Sequence, residues 1–570
     1  MKHFLKKIID WRFSWLILLF LIAIPSFWYL LGSGYFSMHD DLQISRLYQM
    51  DLCFRDGQIP CRWVPDMGYG YGYPLFNYYP PLPYYLGQVF HLLGFSYIYS
   101  IKLLFILGLF FSSIFAYLLG RELWGKYGGM ATAVFYLYAP YHAVDVYVRG
   151  ALNEFLGLVL FPAVFWAVFK IVKENKKIFI IALAFFFGLL LLSHNLMAFF
   201  ITPFLIAWAF FLVFYLKKPK KVIWSLLKSG LLGVGLAAFF TLPVLFERNL
   251  VHIETMFIGY FNYLAHFADL NQLFFSRFWG FGASFWGPGD DMSFSLGQVH
   301  WVVGGLIFLI FLRLFFVKKR KESLLVFFFF AFFLLTAFLT HQRSNFIWER
   351  VFVLSALQFP WRLLSLSSFA LSMLSGAIFV LIKEKKQALF LLILMIVTVF
   401  AFNISFFKPE KILNINDEQK LFSAKNWRKL QTDAIFDYLP IYSDMPPGGP
   451  APESPFFEKG EGNISDYKKG TDWLKFNIKI ESKESKVRIP VFYFPQWTVL
   501  ANGQLLDISY DNEFALLDIN LDKGDYEVKA FLRDTSVRTV SNIISFLSWL
   551  FLGGFMLKYA YGKFRKFSRN

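Results

Sequence analysis

Charged residues and cysteines are scarce in this 570-residue sequence. Only 17% of the residues are charged, whereas 57% are hydrophobic and 75 are phenylalanine. A soluble protein needs more polar surface than this composition supplies, so lipid must be the solvent for much of the chain. The sequence also lacks a Walker loop, a His/Cys metal cluster and a Ser-His-Asp order. ATP-driven transport by this chain alone is therefore not expected.

The only two cysteines, Cys53 and Cys61, lie in the first long polar segment. A disulfide between them is permitted if that segment faces an oxidising compartment. Two unpaired thiols are the alternative, and the sequence leaves both open.

The net charge of +17 is unevenly distributed along the chain. Between Lys408 and Val540 there are 18 Lys and Arg against 21 Asp and Glu, whereas the rest of the chain has 38 against 18. A nucleic-acid surface would be one continuous basic patch. The excess here instead forms short runs at the ends of apolar stretches, as the positive-inside rule produces. Nucleic-acid binding is therefore not expected. The runs are Lys2 to Lys7, Lys173 to Lys177, Lys217 to Lys221, Lys318 to Lys321, Lys383 to Lys386 and Lys558 to Arg569.

These basic runs and apolar stretches of roughly 20 residues predict about twelve membrane spans. With both termini in the cytoplasm, every basic run falls on the cytoplasmic face. Trp15 to Leu31 follows a basic start without a small-residue cleavage site, so it is predicted to be a retained first span. The predicted spans are 13–32, 97–119, 128–147, 153–173, 178–194, 196–216, 222–246, 296–317, 323–340, 361–382, 388–407 and 541–560.

The same topology predicts three regions. Residues 1–407 form a multi-span membrane domain with outside loops at 33–97 and 247–295, residues 408–540 form an extracytoplasmic domain, and residues 541–570 form the last span with a basic cytoplasmic tail. The extracytoplasmic domain is predicted to be β-rich, because 473–480, 487–494, 514–521 and 526–532 are short runs of aromatic and β-branched residues. Asn502-Gly503 predicts a tight hairpin. The expected fold is a helical bundle with a C-terminal β-sandwich or jelly-roll-like domain.

A polar motif, His39-Asp40-Asp41, follows the first span, and Arg46 comes shortly after it. Two adjacent carboxylates at the mouth of a helix bundle are costly unless a cation or a proton donor uses them. One carboxylate could be a general base toward a hydroxyl, and the other could bind a divalent cation. The alternatives are that both aspartates cap the helix predicted from Leu42 to Arg55, and that Arg46 makes a simple ion pair within it.

The first outside loop continues with a segment rich in glycine and tyrosine, residues 65–85. Glycine lets a backbone approach a ligand closely, and tyrosine offers a ring face and a hydroxyl to a sugar. An aromatic belt at the membrane interface would explain the same residues. The candidate substrate-binding residues of this segment are Tyr71, Tyr73, Asn77 and Tyr79.

Two arginines lie at predicted outward helix starts: Arg149 shortly before Asn153 and Glu154, and Arg362 directly after Trp361. A positive side chain at a helix N-terminus is repelled by the positive end of the helix dipole. A bound anion would offset this repulsion, because it attracts both the side chain and the helix N-terminus. Arg149 and Arg362 therefore form a candidate clamp for a phosphate or pyrophosphate. An ion pair between Arg149 and Asp145, four residues earlier, is the alternative.

His194 and Asn195 end the fifth predicted span on the same side. A histidine at a helix end is more often a hydrogen-bonded interfacial residue than a catalytic one. With Glu154, His194 is a second-rank candidate for contact with acceptor hydroxyls or for proton transfer.

The motifs 39–46, 57–63, 68–85, 147–154, 193–195 and 359–362 together closely resemble bacterial and archaeal membrane proteins labelled 6-pyruvoyl-tetrahydropterin synthase-related. The β-rich domain and last span resemble the tail of YfhO-type membrane proteins. The metal-binding histidines of a true pterin synthase have no counterpart here. The architecture is instead similar to type C (GT-C) glycosyltransferases, which take sugars from polyprenyl-phosphate donors. That resemblance implies catalysis or metal binding by an acidic motif in the first outside loop, which Asp40 and Asp41 match by position.

These observations predict an integral cytoplasmic-membrane glycosyltransferase that uses a polyprenyl-phosphate sugar and a glycan, lipid or protein acceptor on the extracytoplasmic face. Asp40 is the predicted base, Asp41 the support or the ligand of a divalent cation such as Mg²⁺ or Mn²⁺, and Arg149 and Arg362 the donor-phosphate ligands. A transporter or flippase for lipid-linked saccharide is the main alternative. Transporters tend to place ionisable groups near the bilayer midplane, whereas here they cluster at outer helix ends. An envelope-assembly scaffold is the third interpretation.

Overall fold

The computed structural model describes residues 14–285, 291–432, 435 and 437–567. The N-terminal basic run at Lys2 to Lys7 lies outside the described residues. The chain divides into two compact units. The first comprises residues 1–41, 98–233 and 257–415, and the second comprises residues 42–97, 234–256 and 416–570.

The protein is mainly helical, as predicted. In the described part of the chain, eight helices are long and apolar enough to cross a membrane, or nine when one broken pair counts as a span, and two further apolar helices are shorter. The eight are Tyr97–Leu137, Leu152–Glu174, Asn195–Tyr215, Gln298–Lys318, Ser323–Thr340, Pro360–Leu381, Lys385–Phe406 and Ser536–Gly562. The broken pair is Lys221–Leu236 with Ala238–Phe246, and the shorter helices are Ser14–Leu30 and Lys177–Ser193.

Two predicted spans meet in one element, Tyr97–Leu137, which is interrupted at Gly125 by a non-helical backbone (φ 80°, ψ −174°). The second of these spans ends at Leu137, ten residues before the predicted boundary. Pro140 follows, and a proline has no N–H with which to continue the helical hydrogen bonds. The chain then makes a short helix, Pro140–Ala143, and a π-helical turn, Val144–Val148.

The core of the first unit consists of apolar and aromatic side chains from the helices between residues 116 and 377. Phe165, for example, packs on Trp208, Phe332 and Phe369 with ring centroids 4.8 to 6.3 Å apart. A two-stranded antiparallel ribbon in the same unit pairs Tyr35–Phe36 with Ile412–Leu413. This ribbon holds the chain immediately before His39.

The second unit contains the predicted β-rich region. Six antiparallel strands form one hydrogen-bonded sheet, and the strands Trp473–Phe492 and Leu516–Leu532 each run through two of the predicted strands. In the longer strand Phe476 and Ile478 are buried while Lys475 and Asn477 are exposed, so one face of the sheet covers a core. The other strands are Phe456–Lys459, Gly462–Lys469, Trp497–Ala501 and Gln504–Leu506.

One local prediction is confirmed in the second unit. Asn502 and Gly503 form the turn between paired strands, and both have the positive φ that such a turn needs (47° and 81°). Cys53 and Cys61, whose pairing the sequence left open, form a disulfide.

Candidate functional site

Two arginines of the first unit converge on one carboxylate. Arg149 Nη2 donates to Glu154 Oε2 at 2.8 Å, and Arg362 Nε donates to the same oxygen at 3.2 Å. The other oxygen, Oε1, accepts a hydrogen bond from the Tyr141 hydroxyl at 2.5 Å. Glu154 is only 1% exposed. The two arginines thus lie in one site with Glu154 between them, and their role as a phosphate clamp stays a prediction.

The local backbone explains how Arg149 reaches this position. The π-helical turn Val144–Val148 ends at Arg149, whose backbone N–H donates to the Val144 carbonyl at 2.8 Å. Such turns are frequently found at functional sites. Gly150 then takes a positive φ of 61°, which a glycine adopts without strain, and the helix Leu152–Glu174 begins. The arginine therefore lies on a fixed bend between two helical segments.

Arg362 is fixed by a different turn. It lies in the 3₁₀ segment Pro360–Leu363, and its Nη1 donates to the Leu357 carbonyl at 2.8 Å and to Gln358 Oε1 at 2.9 Å. Gln358 itself has a positive φ of 63°, an unusual conformation that tends to occur at functional sites. Arg362 Nη2 has no hydrogen-bond partner among the residues that the structure describes, so one donor group of this guanidinium is available to a ligand.

Asp145 confirms the ion pair that the spacing indicated, because its Oδ1 lies 2.5 Å from Arg149 Nη1. Burial raises the pKa of Asp145 well above its usual range; the charge of Glu154 adds to this effect, and Arg149 opposes it. Arg149, Arg362, Glu154, Asp145, Tyr141 and Gln358 form what we call the arginine cluster. With both of its carboxylates ionised, this cluster is neutral.

Trp361 closes one side of the arginine cluster. Arg149 Cζ lies 4.6 Å from the centroid of the Trp361 ring, which stacks on Phe359 at 4.9 Å. The indole Nε1 of Trp361 is buried and makes no hydrogen bond within the described ranges. A buried N–H without an acceptor is costly, so an acceptor atom on a ligand would relieve it.

The acidic motif of the first outside loop lies beside the same bend. The backbone N–H groups of His39 and Asp40 donate to the carbonyls of Val148 (3.0 Å) and Arg149 (2.8 Å). His39 Nε2 lies 2.7 Å from the Phe281 carbonyl oxygen. Burial lowers the pKa of His39, and the Phe281 carbonyl partly offsets that effect. Two motifs that are about 110 residues apart in sequence are therefore joined by backbone hydrogen bonds.

The sequence allowed Asp40 and Asp41 to cap the helix that follows them, but the structure places neither residue at the N-cap. The following helix begins at Gln43, and its N-cap residue is Leu42, whose side chain makes no capping hydrogen bond. Neither Asp40 nor Asp41 thus occupies the N-cap position. The described residues contain no group of three or more His, Cys, Asp or Glu side chains that could hold a metal ion, so metal binding by Asp41 stays a prediction.

His194 and Asn195 have local hydrogen bonds in the first unit. His194 is the N-cap of Asn195–Tyr215, with its Nδ1 accepting from the Met197 N–H at 3.2 Å. Asn195 Oδ1 accepts from the Leu196 N–H at 2.9 Å. His194 also interacts electrostatically with Glu154. A capping role for His194 is therefore present, and its predicted role in proton transfer is untested.

The remaining predicted ligands belong to the second unit. Arg46 Nη1 donates to the Tyr79 hydroxyl at 3.0 Å, and its Cζ lies 4.2 Å above the Tyr79 ring. Tyr73 is fully buried and accepts from the Tyr438 N–H, and Tyr71 packs on Phe492. These contacts are to protein groups of the same unit.

The side chain of Asn77 is also hydrogen-bonded to residues of the second unit. It accepts from Arg62 and donates to Glu247 in a buried ionic network that includes Arg538. Burial of Tyr73 and Asn77 favours a structural role for both, and direct sugar binding by them stays a prediction.

Two residues of the arginine cluster were not predicted. Tyr141 accepts from Arg149 Nη1 at 3.2 Å and donates to Glu154, and Gln358 holds Arg362. The signal for Tyr141 is its spacing, because Tyr141, Asp145 and Arg149 follow one another at four-residue intervals and would share one helical face. Gln358 carries no comparable sequence signal.

Comparison with known proteins gives a family match for part of the chain. Residues 79–246 match the family model described as dolichyl-phosphate-mannose-protein mannosyltransferase. This range includes Arg149, Glu154 and His194. The match supports the prediction of a GT-C type glycosyltransferase, and the finer resemblance to the pterin synthase-related and YfhO-type proteins stays a prediction.

A protein of Lactococcus lactis subsp. cremoris, described as uncharacterized, is 25% identical over 240 residues. The match spans 40% of this chain and 39% of that protein. Among solved structures, ArnT from Cupriavidus metallidurans bound to undecaprenyl phosphate is 14% identical, with a TM-score of 0.39 over 68% of this chain and 64% of that one. The Archaeoglobus fulgidus oligosaccharyltransferase in its apo form is 11% identical, with a TM-score of 0.44 over 76% of this chain and 62% of that one.

Proposed function

We propose that this protein is a multi-pass glycosyltransferase of the cytoplasmic membrane, with both termini in the cytoplasm, that transfers a sugar from a polyprenyl-phosphate donor to an acceptor on the extracytoplasmic face. The observation that carries the proposal is the convergence of Arg149 and Arg362 beside the backbone-tethered aspartate Asp40. The family match to residues 79–246 supports the same reaction class.

The arginine cluster suits the phosphate of such a donor. Guanidinium groups bind phosphate oxygens with charge-assisted hydrogen bonds in a fixed geometry. The donors that remain available, Arg362 Nη2 and Trp361 Nε1, belong to adjacent residues and would serve two phosphate oxygens. The site is largely shielded from water, since the side chains of Arg149 and Arg362 are only 10% and 11% exposed. Electrostatic interactions are stronger in such surroundings.

Asp40 would act as the general base. In the reaction the bond between the sugar's anomeric carbon and the phosphate oxygen breaks, and its electron pair stays on the phosphate. The acceptor's hydroxyl oxygen bonds to the anomeric carbon and gives its proton to the Asp40 carboxylate. Asp41 would support Asp40 or hold a divalent cation such as Mg²⁺ or Mn²⁺. The acceptor is a glycan, a lipid or a protein.

The proposal can be tested with the full chain in lipid nanodiscs. We expect it to bind undecaprenyl phosphate and, given undecaprenyl-phosphate-linked sugars, to release undecaprenyl phosphate, with water as a slow acceptor when no other is present. Movement of intact lipid-linked sugar across a proteoliposome bilayer, without release of the lipid phosphate, would instead establish the transporter alternative.

A further inference from the structure

Glu154 was predicted from the sequence to contact the acceptor or to move a proton, but its surroundings do not suit either task. Its Oε2 accepts from both arginines, and its Oε1 accepts from Tyr141. The residue is 1% exposed. Protein donors thus occupy three of the roughly four lone-pair positions of this buried carboxylate, which favours a role toward protein groups over contact with an acceptor hydroxyl.

The position of Glu154 does suit a counter-ion. Two guanidinium groups that are nearly removed from water need a nearby negative charge, because an unpaired buried charge destabilises a protein strongly. Asp145 bonds only Arg149, whereas Glu154 bonds both arginines. Glu154 Oε2 therefore occupies the point at which both guanidinium groups can donate to one oxygen. A phosphate oxygen bound by both arginines would take the same place.

We infer that Glu154 is a positioning residue that holds Arg149 and Arg362 together and competes with the donor phosphate for them. This inference rests on the proposed function. Tyr141 holds the carboxylate from its other side, so that Glu154 keeps its Oε1 contact while a ligand displaces Oε2.

Glu154 affects the lipid-phosphate product and the sugar donor differently. The sugar-linked phosphate is a diester with one negative charge, whereas the polyprenyl phosphate left after transfer carries up to two. Repulsion from Glu154 therefore opposes the product more strongly than the donor. The residue weakens binding of both but favours release of the spent lipid phosphate.

The test measures binding of undecaprenyl phosphate to nanodisc-embedded protein, comparing the wild type with Glu154→Gln. The amide keeps the shape of the side chain and removes its charge. We expect the Kd to fall by about ten-fold or more, which corresponds to roughly 1.4 kcal/mol. We also expect the ligand to raise the melting temperature more than in the wild type. A purely structural or catalytic carboxylate would not give tighter binding.

The matched control is Glu174→Gln, at the opposite end of the same helix. Glu174 is also paired with cationic groups, those of Lys170 and Lys176. Its replacement should leave the Kd unchanged. If Glu154→Gln does not fold, Glu154→Asp keeps the charge but is too short to bridge both arginines, and its Kd should fall several-fold.

The outcomes separate the inference from the function on which it rests. If the wild type binds undecaprenyl phosphate but the folded Glu154 variants bind it equally or more weakly, the counter-ion role is wrong and the proposed function stands. If neither the wild type nor the variants bind, phosphate is not the ligand of this cluster and both are wrong.

Discussion

Replacement of Arg362 by lysine tests the phosphate-binding role of the cluster while keeping its charge. Arg362 donates from Nε to Glu154 and from Nη1 to Leu357 and Gln358, so Nη2 remains for a ligand. The single ammonium group of a lysine cannot make these bonds and also reach the ligand position, because it is a point charge without the planar fork.

The expected magnitude follows from the bond that is lost. A hydrogen bond to a charged group contributes about 1.5 to 3 kcal/mol. At about 1.4 kcal/mol for each factor of ten, Arg362→Lys should raise the Kd for undecaprenyl phosphate by about 10- to 150-fold. The net cost in stability should be smaller, because the positive charge stays beside Glu154.

The assay is equilibrium binding of undecaprenyl phosphate in nanodiscs, with thermal unfolding measured in parallel. Arg350→Lys is the matched control, since Arg350 is exposed and its Nη1 donates only to the Phe346 carbonyl. An unchanged Kd in a stably folded Arg362→Lys protein would refute the phosphate-binding role of Arg362.

Two further predictions concern topology and the first outside loop. Single cysteines introduced at the Lys220 and Lys385 positions should be labelled only after cells are permeabilised, whereas one at Gly449 should be labelled in intact cells; labelling of either lysine position from outside would overturn the assignment. Mass spectrometry without reduction should find Cys53 joined to Cys61, and replacing both by serine should lower the free energy of unfolding by about 2 to 3 kcal/mol. Unreacted native thiols, or an unchanged stability, would contradict this.

Much of the helical architecture could be predicted because lipid imposes simple rules on sequence. Long apolar runs with basic ends correspond to the helices, including the two that meet at Gly125. The early end at Leu137 was missed, because hydropathy continues past the proline that breaks the helix. In the sheet, strand positions were predicted from local composition, but the joining of four runs into two long strands depends on pairing between distant segments.

The site was predictable only in part. Arg149 and Arg362 could be predicted as anion ligands, because each lies where a helix dipole disfavours a positive charge. Their convergence on Glu154 depends on tertiary packing, since Arg362 is 208 residues from Glu154. Tyrosines such as Tyr73 can serve a sugar or a protein core, and residue type alone does not separate these roles. Its complete burial could be seen only in the folded unit.

Asp40→Asn, measured in a transfer assay with a polyprenyl-phosphate sugar, tests whether this protein transfers sugar with Asp40 as its base. The backbone N–H of Asp40, not its side chain, bonds the Arg149 carbonyl, so this tether survives the substitution. A general base contributes about 10²- to 10⁴-fold in rate, so transfer should fall by that factor with expression and melting temperature nearly unchanged. Transfer at the wild-type rate by the Asn variant would show that Asp40 is not the base.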